Sequence, residues 1–138
     1  MDMTEALNWA DQRQHGALIT IRRDGRPQSS DITYGLDGDT FVISITEDRA
    51  KTRNMRRDPR VVLHLSDPSS WTYLSFDGTV ELLPATTIPG DATSDALVAY
   101  YQTVAGEYPD WDEYRQAMVD QKRLVARFTP TSVVGQIN

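Results

Sequence analysis

Six of the fourteen basic residues of this chain fall within twelve consecutive positions: Arg49, Lys51, Arg53, Arg56, Arg57 and Arg60. A single carboxylate, Asp58, interrupts the run. Like charges at i,i+4 spacing destabilise a helix, so this concentration in an acidic protein needs a local reason. Two readings stand side by side. The window is a solvated helix face, the common fate of arginine stripes, or it is an anion cradle. At about 100° per residue, Arg49, Arg53, Arg56 and Arg60 share one side of a helix, and Lys51, Asn54, Met55 and Asp58 share the other. The window follows an extended segment, which puts Arg49 and Lys51 in the first turn. Free backbone N–H groups and the positive end of the dipole favour an anion there. Ser44, on the segment leading in, adds a hydroxyl. Strand end, hydroxyl, two cations and helix start are the parts of a phosphate cradle.

Other candidates are weaker. Gln28 and Asp31 lie on the preceding extended segment and could meet the edge of a ring system, or simply form a polar outward face. Trp71 and Tyr73, two apart on a strand, face the same side and could stack on a planar ligand or fill an interface. Trp9, Trp111, Tyr100 and Tyr101 read as packing residues on short helices. The two histidines, His15 at a helix end and His64 in an apparently buried strand, have no metal-ligand spacing and read as structural or surface residues. No metal site is expected. Cysteine is absent, which excludes disulfides, thiolate catalysis and Cys-ligated zinc. Neither Gly-x-Gly-x-x-Gly nor a Walker pattern occurs. No catalytic acid or base stands out.

The elements that must position these groups are legible in outline. Asp2 and Glu5 stand in capping-box spacing ahead of a short helix, with Gly16 as its stop. Residues 17–21, a segment through Ile32 and Tyr34, and residues 41–45 alternate as strands, separated by Asp24-Gly25 and Asp37-Gly38. Asp-Gly between extended runs predicts type I′ hairpins, so three strands form a meander. Residues 49–58 predict a helix stopped by Pro59, and residues 61–65 a fourth strand. Residues 71–83 are extended, with Asp77-Gly78 as either a hairpin or a bulge in one long strand. Helices are predicted over 94–105 and from Asp110, whose carboxylate caps toward Glu113; residues 124–128 close the chain as a strand. About six antiparallel strands with short helices predict a small barrel, since closure hides the edges.

The bulk properties agree. A length of 138 residues fits one domain over 1–138, and 25% charged with 39% hydrophobic residues is an ordinary globular balance. There is no transmembrane-length apolar run and no signal-peptide pattern, so a cytoplasmic protein is expected. The net charge of −6 argues against nucleic-acid or membrane partners.

The run Asp24-Gly25-Arg26-Pro27-Gln28, then Ser44, then Arg49 through Arg60, resembles the deazaflavin-dependent branch of the pyridoxamine-phosphate-oxidase-like split-barrel superfamily. Trp71-Thr72-Tyr73 and Gly106 through Met118 extend the resemblance along nearly the whole chain. It implies a homodimer of six-stranded antiparallel split β-barrels with short peripheral helices and cofactor sites at the subunit interface. It implies coenzyme F420 as cofactor, with FMN the alternative. Arg49 and Lys51 would bind the cofactor phosphate, assisted by Ser44, and Gln28 would approach the ring or ribityl chain. Asn54 would contact the ligand or lock the phosphate loop. Trp71 and Tyr73 would close the site from the other subunit. Relatives often carry Asn where this chain has Asp31, which exchanges a possible donor for a pure acceptor. The family's long bent strand favours a bulge at Asp77-Gly78. The implied activity is hydride transfer to a small electron-poor substrate such as an enone, quinone or tetrapyrrole. The cofactor supplies that chemistry, and its oligoglutamate tail would partner the remaining arginines. An FMN enzyme on the same fold, or a non-catalytic F420 carrier, are the rival expectations.

Overall fold

In the computed structural model, which describes residues 1–138, the alternating segments form six antiparallel strands. These are β1 (His15–Ile21), β2 (Pro27–Asp37), β3 (Thr40–Thr46), β4 (Arg60–Asp67), β5 (Thr72–Leu82) and β6 (Arg123–Gln136). Four helices accompany them: α1 (Met3–Asp11), α2 (Ala50–Arg57), α3 (Ala92–Ala105) and α4 (Trp111–Asp120). The strands close into a barrel in the order β1-β2-β3-β6-β5-β4, the expected split-barrel architecture. Inward residues fill it: Leu18, Tyr34, Phe41, Ile43, Leu63, Leu74, Phe76, Leu124 and Phe128 are all buried. Tyr34, Phe41 and Phe76 meet edge-on at centroid distances of 5.0 and 5.1 Å, the geometry the ring quadrupoles prefer. Each such side chain contributes about 1.5–3 kcal/mol by leaving water.

Helix α1 closes one end. Its Ala6 and Ala10 are buried, and the Tyr34 hydroxyl donates to the Ala10 carbonyl at 2.7 Å. Helix α2 closes the opposite end with Met55 in the barrel core. Helices α3 and α4 lie outside, where Leu97 and Tyr114 bury Val42 and Val125. Their own aromatic cluster, Tyr101, Tyr108, Trp111 and Tyr114, holds the two helices together. No helix is long and apolar enough to cross a membrane.

Several local expectations change. Gly16 does not stop α1, which ends at Asp11; it lies in β1, where a Cβ would stand 2.4 Å from Leu65 Cδ2 and 3.1 Å from the His64 carbonyl. The Asp24-Gly25 loop has positive φ only at Gly25, and the Gly38-Asp39 loop only at Gly38, so neither is a I′ turn. Strand β5 is continuous, and a register shift against β6 at Asp77/Gly78 makes that dipeptide a bulge. Arg60 begins β4 and so does not extend the arginine side of α2. Trp71 lies outside β5, in left-handed conformation (φ 57°) after a short 3-10 turn. His64 is half-buried on the outer face; its neighbours Leu63 and Leu65 point inward. Strand β6 continues to Gln136, well beyond residue 128.

Candidate functional site

The β2–β3 ladder runs only from Tyr34↔Ile43 to Asp37↔Thr40. Toward the N-terminus of β2 the strands part, and this is the split. Successive residues of a strand direct their backbone polar groups to opposite neighbours. Tyr34 N–H reaches the Gln14 carbonyl on the β1 side at 2.8 Å. Thr33 and Asp31 therefore turn their backbone groups into the opening. Tyr100 of α3 enters it, its hydroxyl donating to the Thr33 carbonyl at 2.8 Å while the Ser44 N–H is directed at the hydroxyl oxygen. Burial pushes the Tyr100 hydroxyl above its ordinary pKa, against the opposing pull of Arg123 and the Ser44 N–H.

The opening holds a cleft of about 410 Å³ lined in part by Asp31, Thr33, Ser44, Lys51, Tyr100 and Arg123. Arg123 at the start of β6 leans over Ser44, with its guanidinium 3.5 Å from both the carbonyl and Oγ. It also lines a neighbouring recess of about 660 Å³ with Arg49 and Lys122, and the carboxyl-bearing Asp48 and Asp120 line that recess as well. Burial holds the Lys51 ammonium below its ordinary pKa, and the charges of Arg49 and Arg123 push the same way; Asp31 opposes them. None of Arg49, Lys51 or Arg123 has a carboxylate within 4.0 Å. Arg49 is the N-cap of α2 and no side chain caps that helix start.

The rest of the arginine stripe is paired within the chain. Arg56 grips Glu47 with both guanidinium nitrogens, the longer contact at 2.7 Å, and holds that carboxyl below its ordinary range. Arg60 grips Asp58 at 2.8 and 3.0 Å and, with its own backbone N–H, holds that carboxyl near a pKa of about 2. Arg53 donates to the Asp48 carbonyl at 2.7 Å and Arg57 to Asn54 Oδ1 at 3.0 Å. The repulsion inferred from sequence is thus offset by nearby acceptors in the outer part of the stripe and persists only at its start.

The structure brings Ser44, Lys51 and Asp31 into one cleft and Arg49 into the adjoining recess. Gln28 and Asn54 are elsewhere. They meet on the inner side of the barrel end, where Asn54 Nδ2 donates to Gln28 Oε1 and to Thr20 Oγ1, both at 3.1 Å. With Arg57 on its Oδ1, the buried Asn54 has both ends of its amide engaged and ties α2 to β1 and β2. Trp71 and Tyr73 lie apart from these residues, 80% and 42% exposed. Tyr73 stacks on His64 at 6.0 Å. Gln136 and Asn138 side-chain amides donate to the Trp71 carbonyl at 3.1 and 3.0 Å. Sequence reasoning missed Arg123 and Tyr100. The alternation over 124–128 does place Arg123 outward, but only the Thr46↔Arg123 register brings it beside Ser44.

Three cations without carboxylate partners, a hydroxyl and an uncapped helix start form a donor set that fits a phosphate-bearing ligand. The open β2 edge beside it fits the rim of a flat ring. The family described as Pyridoxamine 5'-phosphate oxidase matches residues 3–136. The chain belongs to that family. Among solved structures, a conserved hypothetical protein from Mycobacterium tuberculosis is 25% identical to this family member with a TM-score of 0.75, over 98% of this chain and 84% of that one. An F420 reductase is also 25% identical, with a TM-score of 0.69 over 92% and 94% of the two chains. A heme binding protein from Mycobacterium smegmatis shares the fold at 24% identity and a TM-score of 0.71, over 97% of this chain and 53% of that one. The family includes oxidoreductases and binds flavin-like cofactors.

Proposed function

We propose that this protein is an F420-dependent oxidoreductase that passes hydride between the deazaflavin and a small electron-poor organic substrate such as an enone, quinone or tetrapyrrole. The observation that carries the reading is the cation cluster of Arg49, Lys51 and Arg123, without carboxylate partners, at the uncapped start of α2 beside the open edge of β2. Lys51, Arg123 and Ser44 would hold the cofactor phosphate. The recess with Arg49 and Lys122 continues from that cleft and would take the carboxylates of the glutamate tail. Asp31 sits where the ring edge would lie and offers its backbone groups as well as its carboxylate. The coenzyme, when bound, supplies hydride chemistry at C5. Gln28 and Asn54 would act indirectly, by fixing the helix that presents Lys51.

The resemblance of residues 49–60 and 106–118 to deazaflavin enzymes favours F420 over FMN, and the likeness to an F420 reductase along most of both chains supports it. Trp71 supports a second subunit. A large indole held out to solvent on a left-handed residue, with its carbonyl fixed by two amides, has the form of an interface anchor. We read the functional unit as a homodimer in which Trp71 and Tyr73 close the partner's site.

The test is a fluorescence titration with F420 and, separately, with FMN, at two salt concentrations. F420 preference that salt weakens is expected, followed by turnover of a quinone with the reduced coenzyme. Equal or tighter FMN binding makes the protein an FMN enzyme, and tight F420 binding without turnover across a broad substrate panel makes it a carrier.

A further inference from the structure

A second cleft adjoins the cationic one and takes no part in the reading above. Its volume is about 580 Å³, and it shares the wall Asp31-Ile32-Thr33 with the first. Strand register explains its shape. On the outer barrel face Ala17 pairs with Asp31 on one side and His64 on the other. The short Ala17 side chain is the floor, and its longer neighbours are the walls. The β1–β4 ladder stops at Ala17↔His64, so beyond it His15 and Ser66 stand apart and the cleft opens between them. Gly16 permits this close crossing of β1 over Leu65.

The lining is unusual for so small a chain: it holds both histidines of the sequence, together with Thr33 and Ser66. Each imidazole has a neighbour that orients it. His15 Nδ1 lies 3.2 Å from Thr33 Oγ1, and His64 stacks on Tyr73. With Nδ1 accepting the Thr33 hydroxyl proton, the other ring nitrogen of His15 carries the hydrogen and is a donor. Thr33 joins the two clefts, since its carbonyl takes the Tyr100 hydroxyl and its side chain meets His15.

We infer that this cleft is the substrate subsite, and that His15 and His64 donate hydrogen bonds to the acceptor oxygens of a planar carbonyl compound of the quinone or enone class. The substrate role rests on the proposed oxidoreductase function; the binding itself does not. The volume lies within the range of small-molecule sites, and the polar lining selects for oxygen over bare hydrocarbon.

With only two histidines, imidazole NMR resolves both. Menadione added to the full chain, with and without F420, is expected to shift both imidazole signals saturably. The analogue 2-methylnaphthalene, which lacks both oxygens, is expected to bind about 5- to 160-fold more weakly, the range of two neutral hydrogen bonds. His15→Gln and His64→Gln each lower menadione affinity about two- to thirteenfold, the range of one such bond, and leave F420 affinity unchanged. Unmoved imidazole signals, absence of menadione binding, or equal binding of the hydrocarbon overturns the inference. Loss of F420 binding alone overturns the functional reading and leaves this subsite standing.

Discussion

Replacing Lys51 by methionine should move ligand affinity and protein stability in opposite directions. Methionine keeps the apolar stem and removes only the charge. The ammonium is penalised by burial and by Arg49 and Arg123, so folding lowers its pKa below the unfolded value. Between the two values the unfolded chain holds more protons, and stability therefore rises with pH through that alkaline window. At neutral pH the charge is a net cost to the free protein. Lys51→Met is expected to leave the melting temperature unchanged or raise it slightly, and the wild type should gain on the variant as pH approaches 10. A charge-assisted phosphate contact contributes about 1.5–3 kcal/mol, so F420 affinity should fall roughly 10- to 150-fold. Fluorescence titration and thermal unfolding of the same samples measure both. The reasoning is refuted by unchanged affinity, or by a fall in melting temperature above about 4 °C, near 1 kcal/mol for a chain of this size.

Four further outcomes follow from particular contacts. Asn54→Ala strands Gln28, Thr20 and Arg57 and should cost about 2–3 kcal/mol in chemical denaturation, with less loss of F420 affinity than Lys51→Met once the protein is folded. Gly78→Ala would set a Cβ 2.2 Å from the Thr129 carbonyl and 2.9 Å from Pro130 Cα; backbone must move, and a loss of about 3 kcal/mol is expected in the same assay. Burial alone would raise the Asp91 carboxyl, but hydrogen bonds from Ser94 N–H, Thr87 N–H, Thr86 Oγ and Ile88 N–H bring it down to about 2. Its stabilisation is therefore complete above the unfolded carboxylate range and lost as pH falls toward 2, and Asp91→Ala, which removes the α3 cap, should cost about 2 kcal/mol at pH 7 and progressively less in acid. Trp71→Ala should leave the fold's cooperativity intact in thermal unfolding, and sedimentation should show weakened self-association, by about 2–4 kcal/mol for an anchor tryptophan.

The parts of the site that were legible in the sequence are those built from neighbours in the chain. Arg49 and Lys51 open a helix directly after a strand, and local spacing reveals that. Arg123 and Tyr100 complete the same cleft from residues about 70 and 50 positions further on, and only barrel closure and the seating of α3 bring them in. The fate of the arginine stripe was also hidden. Glu47 precedes Arg56 by nine residues, outside any helical spacing, and meets it because the chain turns between β3 and α2. Pro130 and Gly135 concealed the second half of β6, since both are poor strand formers. Gly135 is in the strand at φ 146°, with a Cβ there only 2.1 Å from the Tyr73 carbonyl; the close crossing with β5 needs glycine, whatever its propensity.

Why the β2–β3 ladder stops at Tyr34 bears directly on function. Continuing the register would pair Thr33 with Ser44 and erase the cleft, satisfying backbone groups that now face the opening. Three contacts oppose that zipping. Thr52 Oγ1 donates to the Thr46 carbonyl at 2.6 Å and draws α2 onto the end of β3. Asn54 binds the same helix to β1 and β2. Gly35 lets Thr103 of α3 approach so closely that a Cβ would stand 3.0 Å from its Cγ2, which seats Tyr100 between the strands. Its hydroxyl takes the Thr33 carbonyl, one of the groups that the missing rung would have satisfied. An unpaired buried backbone group costs about 1–3 kcal/mol, so strands are held apart at such a place only where other contacts enforce it. Here the enforcing contacts come from α2 and α3, the two helices that also carry Lys51 and Tyr100. The gap and the groups that line it are thus products of the same packing, and a substitution that closed the split would remove the cleft without altering any residue that lines it.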